Sequence, residues 1–531
     1  MRLRIHQISL RLDYEKADVL AAVAKVLGCR ADDLDRLVLL RRSIDARRPD
    51  REPRFVLSVD VDYQGEKKPE LVQGRILLAP EDEPRHEPVA LPTRRRRPVV
   101  VGAGPAGLMA ALRLAEAGWK PLLVERGADV TVRSHQVETF WQEGVLNPES
   151  NVLYGEGGAG LFSDGKLTAR SKDRGAIRRF FQLLVACDAS SDILIDAEPH
   201  IGSDVLQRII PALRARIENL GGEGRFGAKL EALHIEDGAL RGLTVSGREI
   251  ATDLCFLAAG HSARDVYALL VEAGVPLAAK PFAIGVRIEM PQSRLNVAQY
   301  GRWAKHPRLG SAGFHLTRRP GTTRGCYSFC TCPGGLVMAC ASSDGMLTTN
   351  GMSYSKRAKP FGNAAMLVPV GPDDYPIGLK NPDLAGVILQ RTIERAAFRA
   401  GGGDFALPAQ PLIEFLAGVV PRDLPDERSC ARAVPADVSS FLPDEVARTL
   451  REVLPKMLRE LNGIELEDVL VYGAETRSSS PVRVERDPAT RESPAVRGLY
   501  PIGEGSGHTG GIVSSALDGE ASARQALRSE A

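Results

Sequence analysis

Between Pro98 and Gly127 the spacing of apolar residues changes twice. Pro98-Val99-Val100-Val101 is an unbroken apolar run of strand length. From Leu108 the apolar positions fall at 108, 111, 112, 114 and 115, one face of a helix. Pro121–Val124 is a second short strand, closed by Glu125. A strand running into a glycine turn recurs at Leu254–Gly260 and again at Gly498–Gly505, where a helix through Ser515 and Ala516 follows. Nearer the start, Met1–Arg11 alternates apolar and polar residues as a strand does. Tyr14–Leu27 carries a helical stripe (Val19, Leu20, Val23, Val26, Leu27), and Leu37–Ile44 and Phe55–Val61 read as further strands.

These patterns divide the chain. Residues 1–85 form a small N-terminal α/β module of ferredoxin-like type, and the Pro-, Glu- and Arg-rich stretch 86–97 is a solvated linker. A nucleotide-binding domain follows in two parts, 98–285 and 468–531, with an α+β substrate or cap domain, 286–467, inserted between them. The fold class expected is α/β, Rossmann-like, with a discontinuous nucleotide domain.

The turn Gly102-Ala103-Gly104-Pro105-Ala106-Gly107 is a G-x-G-x-x-G motif with its full context. Gly102 makes the tight turn, Gly104 lets the backbone reach a pyrophosphate, and Gly107 lets helix and strand pack closely. The helix N-terminus favours the anion. Glu125 stands where a carboxylate binds ribose hydroxyls and repels a 2′-phosphate, which points to FAD or NAD rather than NADP. The two later Gly-rich strand ends lie far from the first motif, which favours FAD, since an NAD domain draws its contacts mostly from one contiguous unit.

The bulk composition narrows the alternatives. The 531 residues are 44% hydrophobic, 26% charged and 5% aromatic, with 52 glycines and a net charge of +2. No single-sign field argues for DNA or an anionic membrane, and few aromatics are present for stacking on bases. No apolar run approaches membrane-spanning length, and the opening residues lack a signal-peptide pattern. Eight cysteines are too few for a disulfide scaffold. A soluble, cytoplasmic protein is expected.

Several further segments carry a family resemblance: Asn151–Gly160, Phe162–Leu167, Tyr327–Gly335, Asn350–Ser353 and Gly503–Ile512. On these the chain resembles, over nearly its whole length, a poorly characterised family of FAD-dependent dehydrogenases. That family lies within the FAD-binding group that includes p-hydroxybenzoate hydroxylase and geranylgeranyl reductase. The resemblance implies an FAD-dependent oxidoreductase that transfers hydride through flavin N5. It implies cofactor contacts at Gly102, Gly104, Pro105, Ala106, Gly107, Glu125, Arg126, Arg133, Gly158, Ala159, Gly160, Ser163, Lys166, Ala259, Gly260, Arg264, Gly503, Glu504, Gly510, Gly511 and Ile512. Glu504 departs from the wider group, where Asp is usual: it reaches a ribityl hydroxyl or faces the substrate.

A flavin performs the redox chemistry, and the protein supplies orientation, proton transfer and charge. Lys166 is a candidate to stabilise negative charge on reduced flavin, against the reading of a solvated surface turn. His508, just before the last helix, is a candidate general acid or base, against a histidine that only holds its turn. Glu504 completes the catalytic candidates. Cys330, Cys332, Ser353, Arg357 and Arg477 are candidate substrate contacts. Cys326, Cys330 and Cys332 lack the paired spacings of a zinc site, and no metal is expected. Strand alternation would put Cys330 and Cys332 on one face. They read as small residues beside the substrate cavity, with a thiol–flavin relay as the sharper alternative.

One complete dinucleotide fingerprint leaves room only for a transient NAD(P)H, a quinone, oxygen or a partner protein as electron donor or acceptor. Two other functions are open. A monooxygenase or halogenase of the same fold is weakened because Gly260-His261-Ser262-Ala263-Arg264-Asp265 replaces an Asp-Gly motif. An RNA-associated flavoprotein rests on Arg41, Arg42, Arg47, Arg48 and Arg51, but Asp45 and Asp50 interleave them.

Overall fold

The computed structural model describes residues 1–80, 96–168, 171, 173–321 and 324–529. Most of the linker expected at 86–97, with Arg94 and Arg95 of its arginine run, lies outside them.

Three apolar strand ends assemble around the first glycine turn. Val99–Val101 pairs in parallel with Cys255–Leu257 on one side and with Leu122–Val124 on the other. Leu499–Pro501 adds beyond Cys255–Leu257, and Glu223–Arg225 adds beyond Leu122–Val124. This five-stranded parallel sheet draws on segments from Val99 to Pro501, as a discontinuous nucleotide domain requires. Its strands are three residues each and its inner strands are buried on both faces, so they read as continuous apolar runs rather than alternating ones. The strand expected at Leu254–Ala259 ends at Leu257, because Ala258 and Ala259 already belong to the turn against Gly102.

Helices Pro105–Glu116 and Ile512–Ser529 pack against each other beside this sheet. They meet at Gly519, where an added Cβ would lie 2.0 Å from the Ala106 carbonyl oxygen.

The second sheet has eight strands. Its centre is Phe282–Pro291, antiparallel to Phe361–Val370 and to Leu470–Glu475. The long strand Cys326–Cys340 joins Phe361–Val370 and also pairs with Thr348–Met352. The boundary expected at 285/286 therefore falls inside a strand, and Leu470–Glu475, assigned to the nucleotide part, belongs to this sheet. Those strands share one apolar core with helix Asp444–Leu458.

The N-terminal module has strands Arg2–Leu10, Leu34–Asp45, Arg54–Tyr63 and Ile76–Leu78 around helix Lys16–Leu27. Their antiparallel pairing places the first strand between the third and fourth, the ferredoxin-like order, with a loop where that fold has its second helix. The module's core continues into Tyr300, Leu309 and Ala312. Arg308 seals the junction over Tyr14 and Phe55 while donating to the carbonyls of Leu12 and Tyr14. Arg42 pairs with Asp192 and Asp196, and Arg47 with Asp45, so two of the five arginines weighed for RNA are engaged with carboxylates. Among the described residues, no helix is long and apolar enough to cross a membrane.

Overpacking a close helix contact costs about 1–3 kcal/mol. Gly519→Val is expected to lower unfolding free energy by that amount in a urea titration; an unchanged midpoint would show that these helices separate freely.

Candidate active site

Gly102 adopts φ +101°, and a Cβ there would sit 2.4 Å from the Ala258 carbonyl oxygen. At Gly107 a Cβ would lie 1.8 Å from the Gly102 oxygen. Both positions therefore exclude a side chain. The helix they introduce begins at Pro105 with no side-chain cap on its first turn, leaving its amides to a ligand. Gly104 faces Gly158, whose Cβ would come within 3.1 Å of the Gly104 Cα.

That opposing loop is held by one buried cation. The Arg133 guanidinium donates to the carbonyls of Asn151, Val152, Gly155, Glu156 and Gly158 at 2.7–3.2 Å. Full burial lowers its pKa to about 9, against the opposing pull of Glu125 and Glu156. Glu125 works from the other side, accepting N–H bonds from Ala103, Gly127 and Gly155. A carboxylate has about four acceptor positions, so roughly one is left for a ribose hydroxyl. Arg126 stacks on Tyr154 and pairs with Glu149 and Asp265. Arg133 and Arg126, expected as direct cofactor contacts, thus build the walls.

The closing turn comes from the C-terminal segment. Asp518 accepts the Gly503 N–H, and the buried Tyr267 hydroxyl donates to the Gly505 carbonyl. A Cβ on Gly505 would lie 2.8 Å from the Gly260 backbone, so the middle and last glycine turns touch. Gly160 meets Ile512 at the start of the last helix. At Gly260, Gly510 and Gly511 an added Cβ would meet nothing within 4 Å, which leaves room for a large ligand beside these turns. An uncapped helix start, glycines in mutual contact and open space beside them fit FAD.

Glu504 and His261 lie on these touching turns, with Glu504 Oε1 3.8 Å from His261 Nε2. Glu504 is 27% exposed and lies near the Gly511 amide, which favours its ionised form. Desolvation pushes its carboxyl up to about 7, only partly offset by that amide and by Lys280. Burial, then the charges of Arg477, Arg264 and Lys280, hold His261 neutral with a pKa near 3. Its Nδ1 is buried without a partner. His508 instead donates Nε2–H to the Val484 carbonyl, which holds the turn. Burial is also the main cause lowering its pKa.

The remaining candidates are tied into ion pairs. Asp164, 1% exposed, accepts from Ser353 and pairs with Arg357. Arg264 and Arg477 both close on Glu394, which is 1% exposed. These two arginines, expected as a cofactor contact and a substrate contact, hold a buried carboxylate ionised despite its desolvation. Arg287 is fully buried, pairs with Glu475, and donates to Asn350, Asn363 and the Cys330 carbonyl. Sequence reasoning passed over Arg287 and Glu394. The visible signal was a charge in an apolar run, Phe282-Ala-Ile-Gly-Val-Arg287-Ile, and one in the apolar stripe Val387–Ala397. Cys330 and Cys332 do meet, but through a bulge: the register slips between Phe329 and Cys332, and Cys330 takes φ +46°. Lys166 and Glu504 both interact electrostatically with Cys330, and Lys280 with Glu504 and His261, so these groups lie within electrostatic reach of one another beside the touching turns. Among the described residues, no group of three or more His, Cys, Asp or Glu is placed to hold a metal.

Residues 97–244 match the model of an FAD binding domain, and 281–478 that of the FAD-dependent protein, C-terminal domain-like family. Residues 2–62 match a domain of unknown function. An uncharacterised protein of Clostridium beijerinckii is 41% identical over 535 residues, covering 98% of this chain and 97% of its own. The chain belongs to this family of FAD-dependent proteins. Solved structures similar to this family member include L-proline dehydrogenase from P. horikoshii, at 12% identity and a TM-score of 0.34, covering 83% of this chain and 95% of that one. Halogenase PltM matches at 10% identity and a TM-score of 0.38, covering 82% and 70%. E. coli quinol fumarate reductase FrdA matches at 14% and 0.36, covering 83% and 72%.

Removing one partner of a buried ion cluster costs about 3–5 kcal/mol. Glu394→Ala in this FAD-dependent protein is expected to lose that much stability in urea, because two buried guanidiniums are left facing each other. A loss below about 1 kcal/mol, typical of an exposed pair, would show that water reaches them.

Proposed function

We propose that this protein is an FAD-dependent dehydrogenase or reductase acting on a small organic substrate in the recess beside Glu504. The observation that carries this reading is a carboxyl titrating near neutrality, Glu504, placed by its turn between the Gly511 N–H and a neutral histidine. FAD, when bound, supplies the acceptor or donor of hydride. What the reaction then needs from the protein is a group that takes or gives one proton near pH 7, and Glu504 Oε has that property. His261 stays neutral beside it and cannot compete for the proton. The Gly511 amide orients the carboxylate. Lys166 and Lys280 hold positive potential over the same recess, which favours an anionic substrate or product. Asp164, Ser353 and Arg357 are tied together beside Lys166, and act as positioning residues. When bound, FAD would exchange electrons with a transiently bound nicotinamide or another diffusible carrier, because the chain carries a single complete dinucleotide fingerprint.

The sign of the pH dependence follows from the raised carboxyl. Substrate oxidation needs Glu504 ionised, so its rate rises with pH through about 7; reduction needs it protonated and falls over the same range. The test is anaerobic bleaching of bound FAD by NADH, NADPH or candidate organic substrates, followed across pH. Glu504→Gln is expected to keep its flavin absorbance, lose the inflection near 7, and slow turnover by about 10²-fold or more. A variant with the wild-type profile would remove Glu504 from the reaction. Label from isotopic dioxygen appearing in an organic product would replace this reading with a monooxygenase.

A further inference from the structure

The recess contains a second group that proton transfer does not use. Cys330 sits on the long strand Cys326–Cys340 at the slip in register, in a left-handed conformation unusual for a residue with a side chain. This bulge sets its thiol near that of Cys332, close enough for each to shift the other's ionisation. The Cys332 thiol also lies 3.3 Å from the Cys330 carbonyl oxygen, to which Arg287 donates as well. The pair is asymmetric: Cys332 is fully buried, whereas Cys330 is partly exposed. Regular alternation would hold the two sulfurs apart along the strand; the bulge brings them together.

We propose that Cys330 and Cys332 are a redox-active dithiol that exchanges two electrons with the FAD of this site. In the oxidising direction both S–H bonds break and one S–S bond forms. The two electrons and two protons released reduce FAD to FADH2; the reverse step cleaves the disulfide. Cys330 is the thiol that exchanges with the recess, and Cys332 is its buried resolving partner.

The surroundings suit that division. The neighbouring Cys332 thiol lowers the Cys330 thiol to about 7, helped by Arg287 and Lys166 and opposed by burial and Glu475. Cys332 is held protonated by Cys330, by burial and by the charge of Asp164. Cys330 lies within electrostatic reach of Glu504 on the last glycine turn. The neighbouring cysteines show the contrast. Burial is the main cause that pushes Cys326 up to about 12 and Cys340 further. Reactive thiols are those with thiolate character and access, and Cys330 has both.

This inference rests on FAD binding at the described turns, and its test separates the two. First, the full chain is equilibrated in glutathione redox buffers, trapped with iodoacetamide, and the tryptic peptide Gly325–Lys356 is weighed and sequenced by mass spectrometry. A reversible loss of two hydrogens joining Cys330 to Cys332 is expected, whatever the flavin content. No such loss in any buffer, or bonding to Cys326 or Cys340, overturns the pair. Second, the reduced holoprotein is followed anaerobically with no added substrate. Bleaching of the flavin band in step with loss of the two alkylatable thiols is expected. A pair that cycles in glutathione but never changes the flavin spectrum overturns the electron exchange. A colourless protein overturns the FAD reading and the exchange together, while the first arm still decides the pair. Third, at about pH 10, above the range of an ordinary thiol, Cys332→Ser and Cys332→Ala should each leave a Cys330 thiolate that gives bound flavin a long-wavelength charge-transfer absorbance. That band should be lost on acidification and absent from Cys330→Ser. Its absence from both Cys332 variants, with FAD bound, places Cys330 out of reach of the flavin and overturns the proposal.

Discussion

The whole site depends on how one buried guanidinium shapes a loop. Arg133 has no exposed surface and offers its N–H groups to five carbonyls of the segment 151–158. Glu125 takes an N–H of the same segment together with two from the fingerprint side. The loop is thus gripped by a cation on its acceptors and by an anion on one of its donors. A bare guanidinium in that position would be costly to bury, and only the carbonyls make it stable. The result is a backbone wall, Gly155–Gly160, that meets the fingerprint at Gly104 and the last helix at Ile512. Since backbone rather than side chains makes these contacts, room for a large planar ligand is built into the chain path itself.

Charge on the substrate side is organised by the same logic. Arg264 and Arg477 converge on Glu394, and the cluster carries one positive charge in excess. That excess, with Lys280 and above all burial, keeps His261 neutral. A neutral His261 gives Glu504 no cation to pair with, and desolvation then raises the Glu504 carboxyl into the physiological range. The Glu504 carboxyl is raised mainly by its own desolvation, with Lys280 and Cys330 as the charged neighbours that modify it.

The nucleotide fingerprint was legible because its physics is local. Gly102, Gly104 and Gly107 sit at spacings that only one turn satisfies, and the runs on either side have a clear period. The strand Leu254–Gly260 and the turn at Gly503 were legible for the same reason, as apolar runs ending in glycine. The arginines were read less well. From sequence, Arg126, Arg133 and Arg264 were expected to contact the cofactor and Arg357 and Arg477 a substrate. In the structure each finds a carboxylate or carbonyl of the chain instead, and those partners, such as Glu394 for Arg477 and Asp164 for Arg357, lie far away in sequence.

By itself, then, the sequence determined the class of protein: an α/β chain with a discontinuous FAD-binding domain and an N-terminal module. Such features arise from periodicity and turn chemistry within a few residues. Only the tertiary structure decided which polar groups are free to act. It engaged His508 with the Val484 carbonyl, closed Arg264 and Arg477 on Glu394, left Glu504 near neutrality, and used a bulge to join Cys330 to Cys332. The physical reason is that ionisation and hydrogen bonding depend on burial and on neighbours across the chain, and neither can be counted along it.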